Sequence, residues 1–326
     1  MPARISRVDR GLCTAITTSG PMRATFAAPH PPDLLLTPCT GDWAALRPGA
    51  EPHLAALLPR RSVIVRSSAS RSSHGQVLAA NVDTVVIALS LATPLDAAKL
   101  ERLLALAWES GAQPMIVLTK ADLVGDPEVV RAEVNMLAPG VDILVTSVAT
   151  GHNIDMLAVL VRGTTVLLGP SGAGKSSLGN RLLGEERLAT GTVRVQDGKG
   201  RHTTVRRELL PLPGGGVLID TPGLRGISLH DAADGLERVF AEIEDLAARC
   251  RFGDCAHDTE PGCAVQAAIG AGELPERRLR SYHKLRRENA WAASRTDARL
   301  RDERVNRQKA ITGHLRATYR FRDRQP

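Results

Sequence analysis

The octapeptide Gly169-Pro170-Ser171-Gly172-Ala173-Gly174-Lys175-Ser176 has the residue types and the spacing of a loop that holds phosphate. Its glycines let consecutive amides turn into one anion-sized hollow, and the start of the next helix adds the positive end of its dipole. Lys175 then suits the β- and γ-phosphates of a nucleotide, and the hydroxyl of Ser176, next to Ser177, suits Mg²⁺. The apolar run Val166-Leu167-Leu168 before the loop reads as a buried strand, and Ser177 to Leu183 after it reads as a helix. A glycine-rich turn with a surface lysine has no need of that frame. A nucleoside triphosphate site is therefore expected.

Shorter stretches supply what such a site requires next. Thr119-Lys120-Ala121-Asp122 closes an apolar run that starts at Met115. The carboxylate of Asp122 can accept hydrogen bonds from the imino and exocyclic amino groups of guanine, whereas adenine offers no such donor pair. Lys120 would lie along base and ribose. Taken alone, this stretch is also a strand end followed by an N-capping aspartate. Asp220-Thr221-Pro222-Gly223, after Val217-Leu218-Ile219, resembles the γ-phosphate-sensing element of GTPases, with Asp220 on Mg²⁺ through water and the Gly223 amide on the γ-phosphate. Between it and the phosphate loop, Gly200-Arg201-His202-Thr203-Thr204 reads as a polar loop whose Thr204 joins Ser176 in the Mg²⁺ shell. The stretch from Thr146 to Gly151, with Ser147, Val148 and Ala149, looks like the loop that backs the guanine.

The order of these pieces is inverted relative to ordinary GTPases, which begin with the phosphate loop and finish with the base-reading and backing segments. The chain thus looks circularly permuted, and its second switch leads almost directly into the C-terminal part. A γ-phosphate signal has a short path there.

Cys250, Cys255, His257 and Cys263 follow, spaced Cys-x₄-Cys-x-His-x₅-Cys. Three thiolates and an imidazole form a tetrahedral shell for structural Zn²⁺ with no position left for catalysis. Disulfides would leave the histidine unexplained and sit badly in a cytosolic chain.

The permuted order, the phosphate loop, His202-Thr203-Thr204, Asp220-Thr221-Pro222-Gly223 and the cysteine cluster together resemble the bacterial ribosome small-subunit-dependent GTPase A family (RsgA/YjeQ), from about Gln76 into the C-terminal region. The resemblance implies an N-terminal OB-fold, a central permuted GTPase domain and a helical zinc-bearing C-terminal domain. It also implies late maturation of the 30S subunit, with GTP hydrolysis stimulated by that subunit.

Several positions depart from common GTPase patterns. Thr119 stands where many carry asparagine, which alters that side chain's contact with base and phosphate loop. Val205 follows Thr204 where a further threonine is common, and Ser147-Val148-Ala149 replaces the common Ser-Ala-Lys, leaving base contact to backbone amides. Leu224 occupies the place of the water-orienting glutamine of Ras-like enzymes, and an apolar residue cannot orient water. His202 is the candidate for that role, as the resemblance also suggests, although a solvent-facing loop histidine has other uses. Slow intrinsic turnover follows in either case.

The chain of 326 residues is long enough for two or three domains. No apolar run reaches membrane-spanning length and Met1 to Ser6 lack an apolar signal core, so the cytoplasm is the expected compartment; a monomer is the expected state. Cys13 and Cys39 read as ordinary thiols. A net charge of +7 favours a polyanionic partner. The excess is concentrated near the end, with 16 Lys/Arg against 6 Asp/Glu from Glu276 to Pro326. Arg277-Arg278-Leu279-Arg280 and His283-Lys284-Leu285-Arg286-Arg287 have helical spacing, with Tyr282 and Trp291 available to stack or pack, and binding of rRNA backbone is the reading they favour over a solvated helix.

An α/β fold positions these motifs. Strand-like runs at Thr84 to Leu89, Gln113 to Leu118, Val141 to Thr146, Thr164 to Leu168 and Val217 to Ile219 alternate with helical patterns at Leu95 to Ser110, Pro127 to Leu137, Asn153 to Val161 and Lys175 to Leu183. Such alternation predicts a mostly parallel sheet with the nucleotide at the carboxyl ends of its strands. Before Gln76, β-like pieces at Gly11 to Thr18, Arg23 to Ala27, Trp43 to Arg47 and Ser62 to Arg66 fit a small β domain, and Arg66 to Gly75 reads as a linker. The expected division is 1–75, an OB-fold-like β domain; 76–235, the permuted GTPase domain; and 236–326, the zinc-binding helical domain. Two rival readings are an RNA-binding zinc protein whose nucleotide site only regulates docking, and an ATP-using P-loop kinase.

Overall fold

In a computed structural model, the structure describes residues 1–27, 37–66, 76–188, 207–220 and 232–296. The expected linker, Arg66 to Gly75, lies almost wholly outside these residues.

The N-terminal strands are β1 (Pro2–Asp9), β2 (Leu12–Thr17), β3 (Gly20–Thr25), β4 (Trp43–Arg47) and β5 (His53–Leu57). They close a barrel in the order β1-β2-β3-β5-β4, with β4 returning antiparallel to β1 and β3 meeting β5 in parallel. Its interior is filled by Ala3, Ile5, Cys13, Ala15, Ala24, Ala44 and Leu46, mostly small side chains that suit a narrow lumen. The sequence pattern did not show β1 or β5. A register shift between Ile5 and Arg7 breaks the alternation of β1, and β5 is alanine-rich and largely uncovered, so neither carries a strong strand signal.

A short antiparallel ribbon of β6 (Val63–Arg66) and β7 (Gln76–Ala80) follows the barrel. Gly41 packs so closely on it that a Cβ there would lie 2.2 Å from the Ala80 carbonyl oxygen. Only glycine fits.

The central unit alternates β8 (Thr84–Ser90), α1 (Ala97–Glu109), β9 (Gln113–Thr119), α2 (Pro127–Leu137), β10 (Asp142–Val145), α3 (Ile154–Leu160), β11 (Thr164–Leu168) and α4 (Lys175–Leu183), then adds β12 (Glu208–Pro211) and β13 (Val217–Asp220). The sheet order is β10-β9-β8-β11-β13-β12, parallel except for the edge strand β12. β8 and β9 are nearly continuous apolar runs because helices cover both faces of a parallel sheet. Val86, Val117 and Leu167 meet Leu157 and Leu178 on one face, while Val85, Ile87 and Ile116 meet Leu100 and Leu104 on the other.

Beyond the sheet come α5 (Ala233–Val239), α6 (Ala241–Ala247), α7 (Ala264–Gly270) and α8 (Glu276–Thr296). Helix α5 lies directly on α1, since a Cβ at Gly235 would meet the Ala105 carbonyl oxygen at 2.1 Å, and the Gly235 amide donates to Glu109 at 3.0 Å. Phe240, Leu279, Tyr282 and Leu285 extend the core of the sheet into the C-terminal helices.

Candidate functional site

Parallel strands place all their carboxyl ends on one edge of the sheet, and the expected motifs sit there: the phosphate loop after β11, the base-reading turn after β9, the backing loop after β10 and Asp220 at the end of β13. Gly169 takes φ 140°, and a Cβ would come within 2.2 Å of the Ala88 carbonyl oxygen, so the loop starts hard against β8. Gly172 and Gly174 also lie in the left-handed region, at φ 80° and 81°. Ala173 is buried, while Ser171 and Gly172 are exposed and Pro170, Gly174, Lys175, Ser176 and Ser177 are half-buried. The Lys175 ammonium donates to the carbonyl oxygens of Gly169 and Pro170 at 2.8 and 2.7 Å, which holds the cation over the loop.

Thr119 joins the two halves of the site. Its buried hydroxyl lies 2.8 Å from the Ala173 carbonyl oxygen in the phosphate loop and 3.2 Å from that of Leu89 on β8. A threonine hydroxyl has one proton to give, and the shorter contact marks Ala173 as its acceptor. The substitution of threonine for asparagine therefore keeps the tether between base-reading strand and phosphate loop with a shorter side chain. Lys120 adopts φ 61°, a left-handed conformation that costs a non-glycine residue roughly 1–2 kcal/mol. The next amide, that of Ala121, donates to the Thr146 carbonyl at 3.1 Å, fixing the turn on the strand that carries the backing loop.

Asp122 is exposed, and one of its oxygens accepts the Ser147 hydroxyl at 2.5 Å. Ser147 in turn accepts from the Thr150 amide at 3.2 Å. The backing loop thus aims the carboxylate, a role the sequence did not reveal because it links positions 25 apart. Val148 and Ala149, half-buried and exposed, follow Ser147 in that loop. Asp220 is shifted upward from the ordinary carboxylate range, first by burial and second by the charge of Glu208 opposite it across the β12/β13 pair. An additional positive charge beside it would be welcome. His202, Thr204 and Gly223 lie outside the described residues.

The second group of chemistry-bearing residues is brought together as expected. The ligand atoms of Cys250, Cys255, His257 and Cys263 all lie within 4.8 Å of one another. Ligands about 2.3 Å (sulfur) and about 2.0 Å (nitrogen) from a tetrahedral ion would stand about 3.8 Å apart as sulfur pairs and about 3.5 Å apart as sulfur–nitrogen pairs. The Cys250–Cys263 sulfurs are 3.9 Å apart and each is 3.6 Å from His257 Nδ1, so the residues fit such an ion. Local structure presets them: His257 sits at φ 60° with its carbonyl bonded by the Gln266 amide group at 2.6 Å, and Cys263 caps α7. The Glu260 carboxylate accepts the amides of Ala256, Asp258 and Thr259, which closes the loop between the ligands.

Beside the cluster, the basic stretch of α8 is partly absorbed by the fold. Arg278 is buried, donating to Glu101 of α1 at 2.8 Å, to the Val239 carbonyl at 2.8 Å and to Glu242, with its guanidinium over the Phe240 ring. Glu101 is fully buried and also accepts from Arg277 and the Ser281 hydroxyl. Tyr282 packs edge-on against Phe240 and donates to Glu244 at 2.6 Å, and burial followed by that bond pushes its phenol up to about 12. Of the two aromatic residues offered for stacking or packing, Tyr282 packs. Among the described residues no helix is long and apolar enough to cross a membrane.

Comparison with known proteins bears on what this site is for. Residues 57–230 match the model of the RsgA GTPase family. The chain is 58% identical over 308 residues to the small ribosomal subunit biogenesis GTPase RsgA of Streptomyces coelicolor, spanning 93% of this chain and 84% of that protein, and 57% identical over 308 residues to its counterpart in Streptomyces avermitilis, spanning 93% and 83%. The fold is similar to that of YjeQ from Thermotoga maritima, with a TM-score of 0.63 at 24% identity over 87% of this chain and 96% of that one. It is also similar to that of YloQ, a circularly permuted GTPase, with a TM-score of 0.61 at 23% identity over 87% and 92%. A Lys-x-Asp turn tied to a glycine-rich loop that follows it in the chain agrees with these likenesses, and the chain belongs to the RsgA GTPase family.

Proposed function

We propose that this chain is a GTP hydrolase of small ribosomal subunit biogenesis, binding the 30S subunit and its rRNA in the cytoplasm as a monomer during late maturation, with turnover stimulated by that subunit. The observation that carries the reading is the hydrogen bond from Thr119 to Ala173, because it brings a carboxylate suited to guanine and a hollow suited to phosphate into one site. In this reading Asp122 accepts from the guanine edge, Lys120 covers the base, and the amides of Ser147, Val148 and Ala149 back it. Lys175 and the amides of Gly169 to Ser177 hold the phosphates, and Ser176 and Thr204 are the Mg²⁺ ligands, with Asp220 reaching that ion through water and Gly223 on the γ-phosphate.

Hydrolysis requires an oriented water. Leu224 has no group to orient it, so His202 takes that role and turnover is slow until the subunit completes the arrangement. Cys250, Cys255, His257 and Cys263 hold one structural Zn²⁺, which stabilises the region without supplying chemistry. The working division is 1–75, 76–235 and 236–326. In the test, multiple-turnover GTP hydrolysis is measured with and without 30S subunits, alongside co-sedimentation with GDP and with a non-hydrolysable GTP analogue. Stimulated turnover and tighter binding with the analogue are expected. Equal binding with both nucleotides and unstimulated turnover would leave an RNA-binding zinc protein in place of a switch.

A further inference from the structure

Helix α8 carries an amide on the face it turns toward the rest of the molecule. Arg278, Tyr282, Leu285 and Ala292 are buried, and they fall at i, i+4, i+7 and i+14, one stripe of the helix. Asn289 occupies i+11 on that stripe, where an apolar residue would add to the core, and it is half-buried. Its side-chain oxygen accepts the amide of Ala232 at 2.7 Å. Only the oxygen of an asparagine side chain accepts, so the contact fixes which way the group points. Ala232 is fully buried and stands where α5 begins.

Helix α5 has no cap of its own. The alanine at its cap position offers no side-chain acceptor, and two amides at its start are met from distant parts of the chain instead, Ala232 by Asn289 of α8 and Gly235 by Glu109 of α1. The α1 side allows no adjustment, because Gly235 already rests against the Ala105 carbonyl. Helix α8 is held less evenly. Near its start Arg278 is buried against Glu101, whereas beside Asn289 the tie to α1 is the partly exposed pair of Glu288 and Arg102. Any displacement of α8 near Asn289 therefore reaches α5 at Ala232.

The chain between Asp220 and Ala232 includes Gly223 and Leu224, the first assigned above to the γ-phosphate and the second unable to orient water. Its near end is fixed by the pairing of Asp220 with Glu208 across β12 and β13, and its far end by Asn289. The position of such an anchor bears on chemistry, since a misplacement of about 1 Å costs roughly a hundredfold in rate. We propose that Asn289 is a positioning residue for GTP hydrolysis: through Ala232 it sets where the chain that follows Asp220 ends, and so ties the reacting phosphate to α8. The inference rests on the reading above for the role of Gly223, and not for the 30S subunit.

The test uses the full chain and three variants. Asn289→Ala removes the acceptor and favours the helix, so α8 itself is not weakened. Asn289→Asp keeps an acceptor oxygen, and Tyr282→Phe removes the bond to Glu244 on the same helix while leaving Asn289 in place. Affinity for GDP and for a non-hydrolysable GTP analogue, single-turnover GTP hydrolysis and melting temperature are measured without 30S subunits. For Asn289→Ala, hydrolysis should fall about tenfold and analogue affinity about fivefold, with GDP affinity unchanged. Asn289→Asp should restore both, and Tyr282→Phe should match the parent in both. Equal loss of GDP and analogue affinity in Asn289→Ala would overturn the proposal and reduce Asn289 to a helix contact. So would parent rates in Asn289→Ala, or an Asn289→Asp variant as impaired as Asn289→Ala. A separate arm adds 30S subunits. A parent that they do not stimulate, with the Asn289 pattern intact, breaks the ribosomal reading and leaves this one standing.

Discussion

The nucleotide site and the C-terminal region are built on opposite plans. At the sheet edge, the hollow is made of backbone: glycine conformations, a helix start and one short tether from Thr119 define it, and most of its side chains are left half-exposed for a ligand. In the C-terminal region, side chains make the structure: the Cys/His cluster and the buried Glu101–Arg278 contact organise short helices that have little core of their own. The difference teaches where a substitution registers. Changes at the sheet edge should cost ligand affinity, whereas changes in the C-terminal region should cost stability.

Removing the metal tests that contrast most severely. Apparent zinc-binding energies in small metal-dependent units are about 10–16 kcal/mol, so chelation should expose the segment from Cys250 to Cys263 to protease while GDP still binds. Unchanged protease sensitivity after verified metal loss would break the comparison. Next in size is Glu101→Ala, which strips a buried arginine of one carboxylate and should lower unfolding free energy by about 3 kcal/mol in denaturant titrations. A shift within the error of the parent curve would show that Glu242 and the Val239 carbonyl suffice for Arg278.

Thr119→Val keeps the shape of the side chain and removes its proton. Deleting the bond to Ala173 should weaken GDP binding by about 1.4 kcal/mol, a tenfold change in a calorimetric titration, with a smaller loss of stability than Glu101→Ala. The reverse ranking would mean that the tether is structural first. The smallest effect is in alkaline solution. Because Tyr282 is raised to about 12 in the folded chain, the native state keeps a proton that the unfolded state releases near pH 10, so stability should fall as pH rises through that interval and be unaffected at neutrality. Tyr282→Phe should flatten this alkaline loss, measured by melting temperature against pH.

The same contrast explains what could be read in the linear chain. The phosphate loop and the Cys/His spacing were legible because each lies within a short stretch and depends on local residue types. The strands β8, β9, β11 and β13 announced themselves as apolar runs bounded by polar turns, and their observed ends differ from the expected ones by at most a residue. Strands β1 and β5 were silent because a bulge and a run of alanines erase the alternation that marks a half-buried strand.

By itself the sequence determined the residue sets that suit phosphate and fit a metal, since backbone freedom at glycine and the chemistry of thiolate and imidazole are properties of the residues. Only the tertiary structure decided that Thr119 reaches Ala173, that Ser147 aims Asp122, and that Arg278 turns inward while Arg280, Lys284 and Arg287 turn out. Those outcomes depend on which strands become neighbours and which helix covers which face. Packing between residues far apart in the chain sets that arrangement, and no local pattern encodes it.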